Sequence, residues 1–273
     1  MISTELLHKN HHNNDFYGPF KKYRAMMDST YFCNYTKERQ ELQDTIIKKY
    51  LTLQPNQEIP KDRENRDNRE PKITLSKSQS NMNPWIFFTC GPFGAGKTHS
   101  LRYLHDQKVL DLNEYVHIDP DKLKYELPEA TSYIQADPIN AGTNLHKEST
   151  FLSLMIQYIV LDQGRPMIID GSLRNLNWNL EHMLNIRKKY PQYNLGIIKV
   201  EADIPTMLNR AQKRAAITGR IVPDNLIVST ANDIKDSFPQ YLKMCNIYLI
   251  VDNNYEPRIN RICIVNPDIQ SKL

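Results

Sequence analysis

The sequence predicts an α/β fold: a doubly wound, mostly parallel five-stranded sheet with flanking helices and an arginine-bearing lid. Three observations point there. From Trp85 onward, short apolar runs alternate with amphipathic ones. The first apolar run ends in a glycine-rich loop, "GPFGAGKT". Carboxylates stand where the next two runs end, and ligands of such sheets sit at the carboxyl ends of the strands.

Along the chain, residues 1–15 contain "HKNHHNND", a polar, Asn-rich stretch expected to be disordered. Residues 16–53 are expected to form a helical segment packing on the core, because Leu42, Ile46, Ile47 and Leu51 of "DSTYFCNYTKERQELQDTIIKKYLTL" recur at three-to-four spacing. Residues 54–84 read as a polar linker, punctuated by proline and almost without core-forming side chains. The α/β domain then occupies 85–273. Its strand candidates are "WIFFTC" (85–90), "YVHID" (115–119), "PMIID" (166–170), "LGIIKVE" (195–201) and "IYLIVD" (247–252). Helices between them include "TFLSLMIQYIVLDQ", closed by Gly164, and "LEHMLNIRKKY", closed before Pro191. The tail "RICIVNPDIQSKL" is expected to add an edge strand.

Composition bounds the function. The chain has 273 residues, 40% hydrophobic and 24% charged, which suffices for one sizeable core. A net charge of +4 without any dense Lys/Arg block does not call for nucleic acid, and a basic site for nucleotide phosphates accounts for it equally well. Cys33, Cys90, Cys245 and Cys263 are scattered without a C-x-x-C pair, which reads as reduced thiols in a cytoplasmic protein. No apolar leader or membrane-length run is visible in this sequence, so a cytoplasmic location is expected, with signal-less secretion of an effector as the alternative.

The chemistry starts at Gly91-Pro92-Phe93-Gly94-Ala95-Gly96-Lys97-Thr98, which matches G-x-x-x-x-G-K-[ST] after a strand and before a helix. Gly91, Gly94, Ala95 and Gly96 let backbone amides approach phosphate oxygens. Lys97 brings a positive charge to the β- and γ-phosphates, and the Thr98 hydroxyl ligates Mg²⁺. His99 is counted with this nucleotide-binding stretch, although its side chain, like that of His105, reads as packing or surface. The ligand is a nucleoside triphosphate: ATP, with GTP as the alternative.

The second strand runs into "HIDPDKLKYELPE". A phosphotransferase needs a carboxylate that accepts a hydrogen bond from the attacking hydroxyl. Asp121 or Asp119 fits that role, while one of the two caps the following helix. Asp170, at the end of the third strand, either holds Mg²⁺ through water or hydrogen-bonds the acceptor. In "RAQKRAAITGRIVP" an arginine fork can neutralise the transferring phosphoryl group and shut out water.

These motifs, in this order, resemble the zeta toxin-type P-loop kinases. "GPFGAGKT" is followed by "IDPDKLK" and "LPE", then by "HKEST" (His146, Glu148, Ser149), "DGSLR" (170–174) and the arginine-rich stretch. The resemblance spans roughly 36–253. It implies that Asp121 activates the acceptor hydroxyl, with Asp119 beside it and Lys124 at the family's basic position. His146, Glu148, Asp170, Ser172 and Arg174 would line the acceptor side, Ser172 replacing the more usual Thr; His146 reads equally well as a helix cap. Arg220, three residues before Pro223, fits the second lid arginine. The first is Arg214 or Arg210, with Arg214 favoured on spacing. The implied acceptor is a small hydroxyl-bearing molecule, with UDP-N-acetylglucosamine the leading example, and the implied partner is an inhibitory protein. A polynucleotide 5′-hydroxyl kinase and a non-catalytic ATP-gated binding module are the competing readings.

Overall fold

A computed structural model describes residues 15–52 and 83–265. The expected disordered start and most of the linker therefore lie outside the described residues. The chain divides into two compact units. One takes in Met1–Leu53, Ile118–Gly164 and Ala211–Pro223; the other takes in Gln54–His117, Arg165–Arg210 and Asp224–Leu273.

In chain order the elements are α1 (Lys21–Arg24), α2 (Lys37–Thr52), β1 (Trp85–Cys90), α3 (Lys97–Asp106), β2 (Val116–Ile118), α4 (Pro120–Glu126), α5 (Ala130–Ala136), α6 (Ala141–Asn144), α7 (His146–Asp162), β3 (Met167–Ile169), α8 (Leu176–Lys189), β4 (Asn194–Glu201), α9 (Ile204–Thr218), α10 (Asp224–Tyr241), β5 (Ile247–Asp252) and β6 (Arg258–Ile264). The sheet order is β2-β3-β1-β4-β5-β6. β1 pairs in parallel with β3 and β4, and β4 with β5, whereas β6 runs antiparallel to β5. To the five expected strands the structure thus adds the edge strand expected from the tail.

Burial follows position in the sheet. β1 is buried from Ile86 to Cys90, as a strand covered on both faces requires. β5, next to the edge, buries only Ile247, Leu249 and Val251, in alternation.

In the first unit α7 is the central helix. Its Phe151, Leu152, Met155, Ile156 and Ile159 are all at most 2% exposed, and α1, α2 and α4 pack on it. Phe32 meets Phe151 with ring centroids 4.8 Å apart. α2 begins at Lys37 rather than at Asp28 as the periodicity suggested. Asp28 turns its carboxylate onto the Thr30 amide and hydroxyl, a local turn that competes with helix. The Thr36 hydroxyl then accepts from the Arg39 amide at the true start. Arg24 is fully buried and paired with Asp44, which ties residues 15–24 to α2. All four cysteines are free. Among the described residues no helix is long and apolar enough to cross a membrane.

Candidate active site

In the second unit, β1 delivers the chain into the glycine-rich loop and α3 carries it away. Lys97 and Thr98 form the first turn of α3, where backbone amides lack helical partners and the helix presents its positive end. Gly94 and Gly96 sit at φ +78° and +86°. A Cβ on Gly94 would meet the Met207 carbonyl, and one on Gly96 the Asn253 amide, so only glycine fits at either position. The Lys97 ammonium donates to the Gly91 and Pro92 carbonyls at 3.1 and 3.4 Å, curled back over the loop.

Contacts that the sequence did not reveal brace the loop. The Asn253 amide donates to the Ala95 carbonyl at 2.7 Å. Arg210 in turn donates to the Asn253 and Asn254 carbonyls at 2.7 and 3.3 Å. The Gly91 amide donates to the Ser172 carbonyl at 3.3 Å, tying the loop to the chain after β3. Burial pushes the Cys90 thiol, just before the loop, up to about 12, so it stays protonated and is no nucleophile.

Asp170 follows β3 and is 7% exposed. It accepts from the Thr89 hydroxyl at 2.6 Å, while His117 Nε2 lies 3.6 Å from its other oxygen. Burial favours the acid form of Asp170. His117, Lys97 and Thr89 outweigh it and hold the carboxyl below the usual range. Thr89 is the one polar side chain within the apolar run "WIFFTC", and that interruption was its only sequence signal.

In the first unit, Asp119 is the cap of α4. Its carboxylate accepts from the Asp121 and Lys122 amides at 2.8 and 3.2 Å, and Pro120 follows at the first helical position. Asp121 therefore stands in the first turn of α4. One of its oxygens accepts from Lys124 Nζ at 2.9 Å and from Arg220 Nη1 at 3.1 Å. Lys124 is only 6% exposed; burial lowers its pKa, and Asp121 partly offsets that.

Glu148 is 1% exposed, in the first turn of α7. Arg39 Nε donates to it at 2.7 Å and Gln43 Nε2 at 2.9 Å, and Arg39 also pairs with Glu129 at 2.8 Å. Burial opposes the Arg39 charge, but Glu148 and Glu129 outweigh it and raise the pKa. Arg39 reaches Glu148 across 109 positions of sequence, which no local pattern announces.

Of the remaining expected residues, His99, His146, Arg174 and Arg214 are exposed. His146 opens α7, whose cap residue is Leu145, which makes no side-chain capping bond. The Ser172 hydroxyl accepts from the Arg174 amide at 3.3 Å. Among the described residues no group of three or more His, Cys, Asp and Glu could hold a metal.

Solved structures share this architecture. The PezAT chromosomal toxin–antitoxin system of the human pathogen Streptococcus pneumoniae aligns with a TM-score of 0.57 at 15% identity, covering 87% of this chain and 86% of that one. The AvrRxo1-ORF1:-ORF2 complex with ATP gives 0.59 at 12% identity over 100% and 81% of the two chains. The same complex with sulphate ions gives 0.60 at 13% identity over 100% and 82%. At these identities the likeness is one of fold. No curated protein matches the chain significantly. Residues 71–261, however, match the zeta toxin family model. The chain belongs to the zeta toxin family and is a P-loop phosphotransferase of the kinase type.

Proposed function

We propose that the protein transfers the γ-phosphate of ATP to a hydroxyl of a small acceptor, with Asp121 receiving the hydroxyl proton. The observation that carries this reading is Asp121 itself. It is a carboxylate at a helix N-terminus, freed from capping by Asp119 and bonded to both Lys124 and Arg220. A residue serving only as a cap would bond backbone amides, as Asp119 does.

The loop of Gly91, Gly94, Ala95 and Gly96 cradles the phosphates, and Lys97 neutralises the β- and γ-oxygens. Thr98 and Asp170 offer the hard oxygen donors that Mg²⁺ takes, and few protein ligands are needed where phosphates and waters complete its shell. The cation, when bound, supplies charge neutralisation on the phosphate oxygens. Arg220, with Arg214, clamps the migrating phosphoryl group. The O–P bond to ADP breaks as the acceptor oxygen bonds phosphorus, and the hydroxyl proton passes to an Asp121 oxygen. Because such transition states are loose, the carboxylate aims the hydroxyl more than it deprotonates it.

The acceptor class implied by the family resemblance is a nucleotide sugar, UDP-N-acetylglucosamine first. An inhibitory protein partner is likewise inferred, by analogy with the toxin–antitoxin system named above. The test incubates the protein with γ-labelled ATP, magnesium and UDP-N-acetylglucosamine, then with a metabolite extract, and identifies the labelled product by mass. Asp121→Ala should leave ATP affinity within about twofold while cutting transfer by roughly 10²–10⁴-fold, the range for a general base. Equal loss of ATP binding, or undiminished transfer, overturns the assignment.

A further inference from the structure

Gly142 lies in α6 with an ordinary helical backbone and no left-handed φ. Backbone geometry therefore does not require glycine there, and alanine is the better helix former. The reason for glycine is the Arg220 side chain. A Cβ on Gly142 would lie 2.8 Å from Arg220 Nε and 3.2 Å from both Cζ and Nη2. The guanidinium thus occupies the space a side chain at 142 would take, while its Nη1 reaches Asp121 at 3.1 Å. The Ile221 amide, next in the chain, donates to the Pro138 carbonyl at 3.1 Å, anchoring the backbone beside Arg220 to the segment just before α6.

We propose that Gly142 is a positioning residue for Arg220, its missing side chain being the floor that holds the guanidinium beside Asp121. The proposal rests on the phosphotransferase reading, in which Arg220 and Asp121 act together. A methyl group at 142 meets no backbone in its three nearest contacts, only the far end of a long side chain. Gly142→Ala therefore moves Arg220 and spares the fold.

The experiment compares wild type, Gly142→Ala, Arg220→Ala and the double variant. It follows γ-phosphoryl transfer to UDP-N-acetylglucosamine and ATP hydrolysis to inorganic phosphate, together with the melting temperature. Gly142→Ala should melt at or above the wild-type temperature. Its kcat should fall roughly ten- to hundredfold, the scale of an ångström-sized displacement of a catalytic group, with the KM for ATP changed far less. In the Arg220→Ala background, where the methyl group has room, Gly142→Ala should cost nothing further. A wild-type rate in Gly142→Ala, or an equal loss in both backgrounds, overturns the proposal. The Arg220 Nε–H resonance, assigned by its disappearance in Arg220→Lys, separates the two layers. If it shifts in Gly142→Ala while Arg220→Ala keeps full activity, the contact stands and the catalytic reading falls. If it does not shift, the contact itself is wrong.

Discussion

Replacing Arg39 by methionine tests a buried charge cluster of the first unit. The Arg39 side chain is 9% exposed and that of Glu148 fully buried, whereas Glu129 is 28% exposed. Methionine keeps most of the aliphatic stem, so little apolar contact is lost. Glu129 can regain water and contributes little. Glu148 cannot: it keeps the Gln43 bond but becomes a buried carboxylate without the Arg39 guanidinium. Removing one partner of a buried pair costs about 3–5 kcal/mol, and the surviving Gln43 bond argues for the lower end, about 3 kcal/mol. That corresponds to a fall of roughly 6–12 °C in melting temperature for a chain of this size. Urea unfolding followed by far-UV circular dichroism reads the loss. Fluorescence must be recorded alongside it, because Trp85 and Trp178 both belong to the other unit and report its unfolding. The decisive arm is the double variant Arg39→Met/Glu148→Gln. Neutralising the stranded carboxylate should recover part of the loss. If Arg39→Met stays within about 0.5 kcal/mol of wild type, the range of ordinary surface substitutions, or if the double variant is less stable than Arg39→Met, the buried-charge argument is refuted.

Asn253→Ala should weaken ATP binding roughly three- to tenfold, the equivalent of one hydrogen bond, with a smaller change in kcat; titration with a fluorescent ATP analogue measures it, and unaltered affinity would show the Ala95 brace to be dispensable. Burial pushes the His182 imidazole down to about 4. The unfolded chain takes up that proton near 6.5, so stability should fall as pH drops from about 6.5 to about 4, by at most roughly 1.4 kcal/mol per pH unit. His182→Gln should flatten that limb, and parallel stability curves for the two proteins would contradict the burial argument.

The local geometry of the candidate site was legible in advance where it lies within one sequence pattern. The loop from Gly91 to Thr98 announces itself because a phosphate cradle needs fixed residue types at fixed spacing between a strand and a helix. The Asp119–Asp121 pair did so because a cap and a carboxylate two residues on are both local features. Sequence left open which of the two capped, and the Asp121 and Lys122 amides decide for Asp119. Asn253, Thr89, Arg39 and Gly142 were illegible for a common reason. Each acts on a segment at least 78 positions away: Gly142 on Arg220 through close approach, and Thr89 on Asp170, Asn253 on Ala95 and Arg39 on Glu148 through hydrogen bonds. Nothing in their own neighbourhood needs them. The start of α2 was misplaced for the opposite reason. The periodicity suggested an earlier start, but the Asp28–Thr30 turn competes with helix at short range.

The shared oxygen of Asp121 also bears on how the proposed reaction is divided among side chains. An Asp121 oxygen that already accepts from both Lys124 and Arg220 has less lone-pair capacity left for an incoming proton. A mechanism that stripped the acceptor hydroxyl of its proton early would be slowed by that arrangement. A loose phosphoryl transfer is not, since the proton leaves late and the carboxylate serves mainly to aim the oxygen. What the arrangement gains is order. Lys124, buried and one helical turn away, fixes the carboxylate rotamer from its own helix. Arg220 reaches the same oxygen from the other side of the sequence with a planar group of five N–H donors, of which Asp121 takes one. Lysine at 220 could neutralise charge but could not present a fixed planar fork in the space above Gly142. The identity of the cation at 220 therefore matters through its shape, and its position depends on a residue, Gly142, that carries no chemistry of its own.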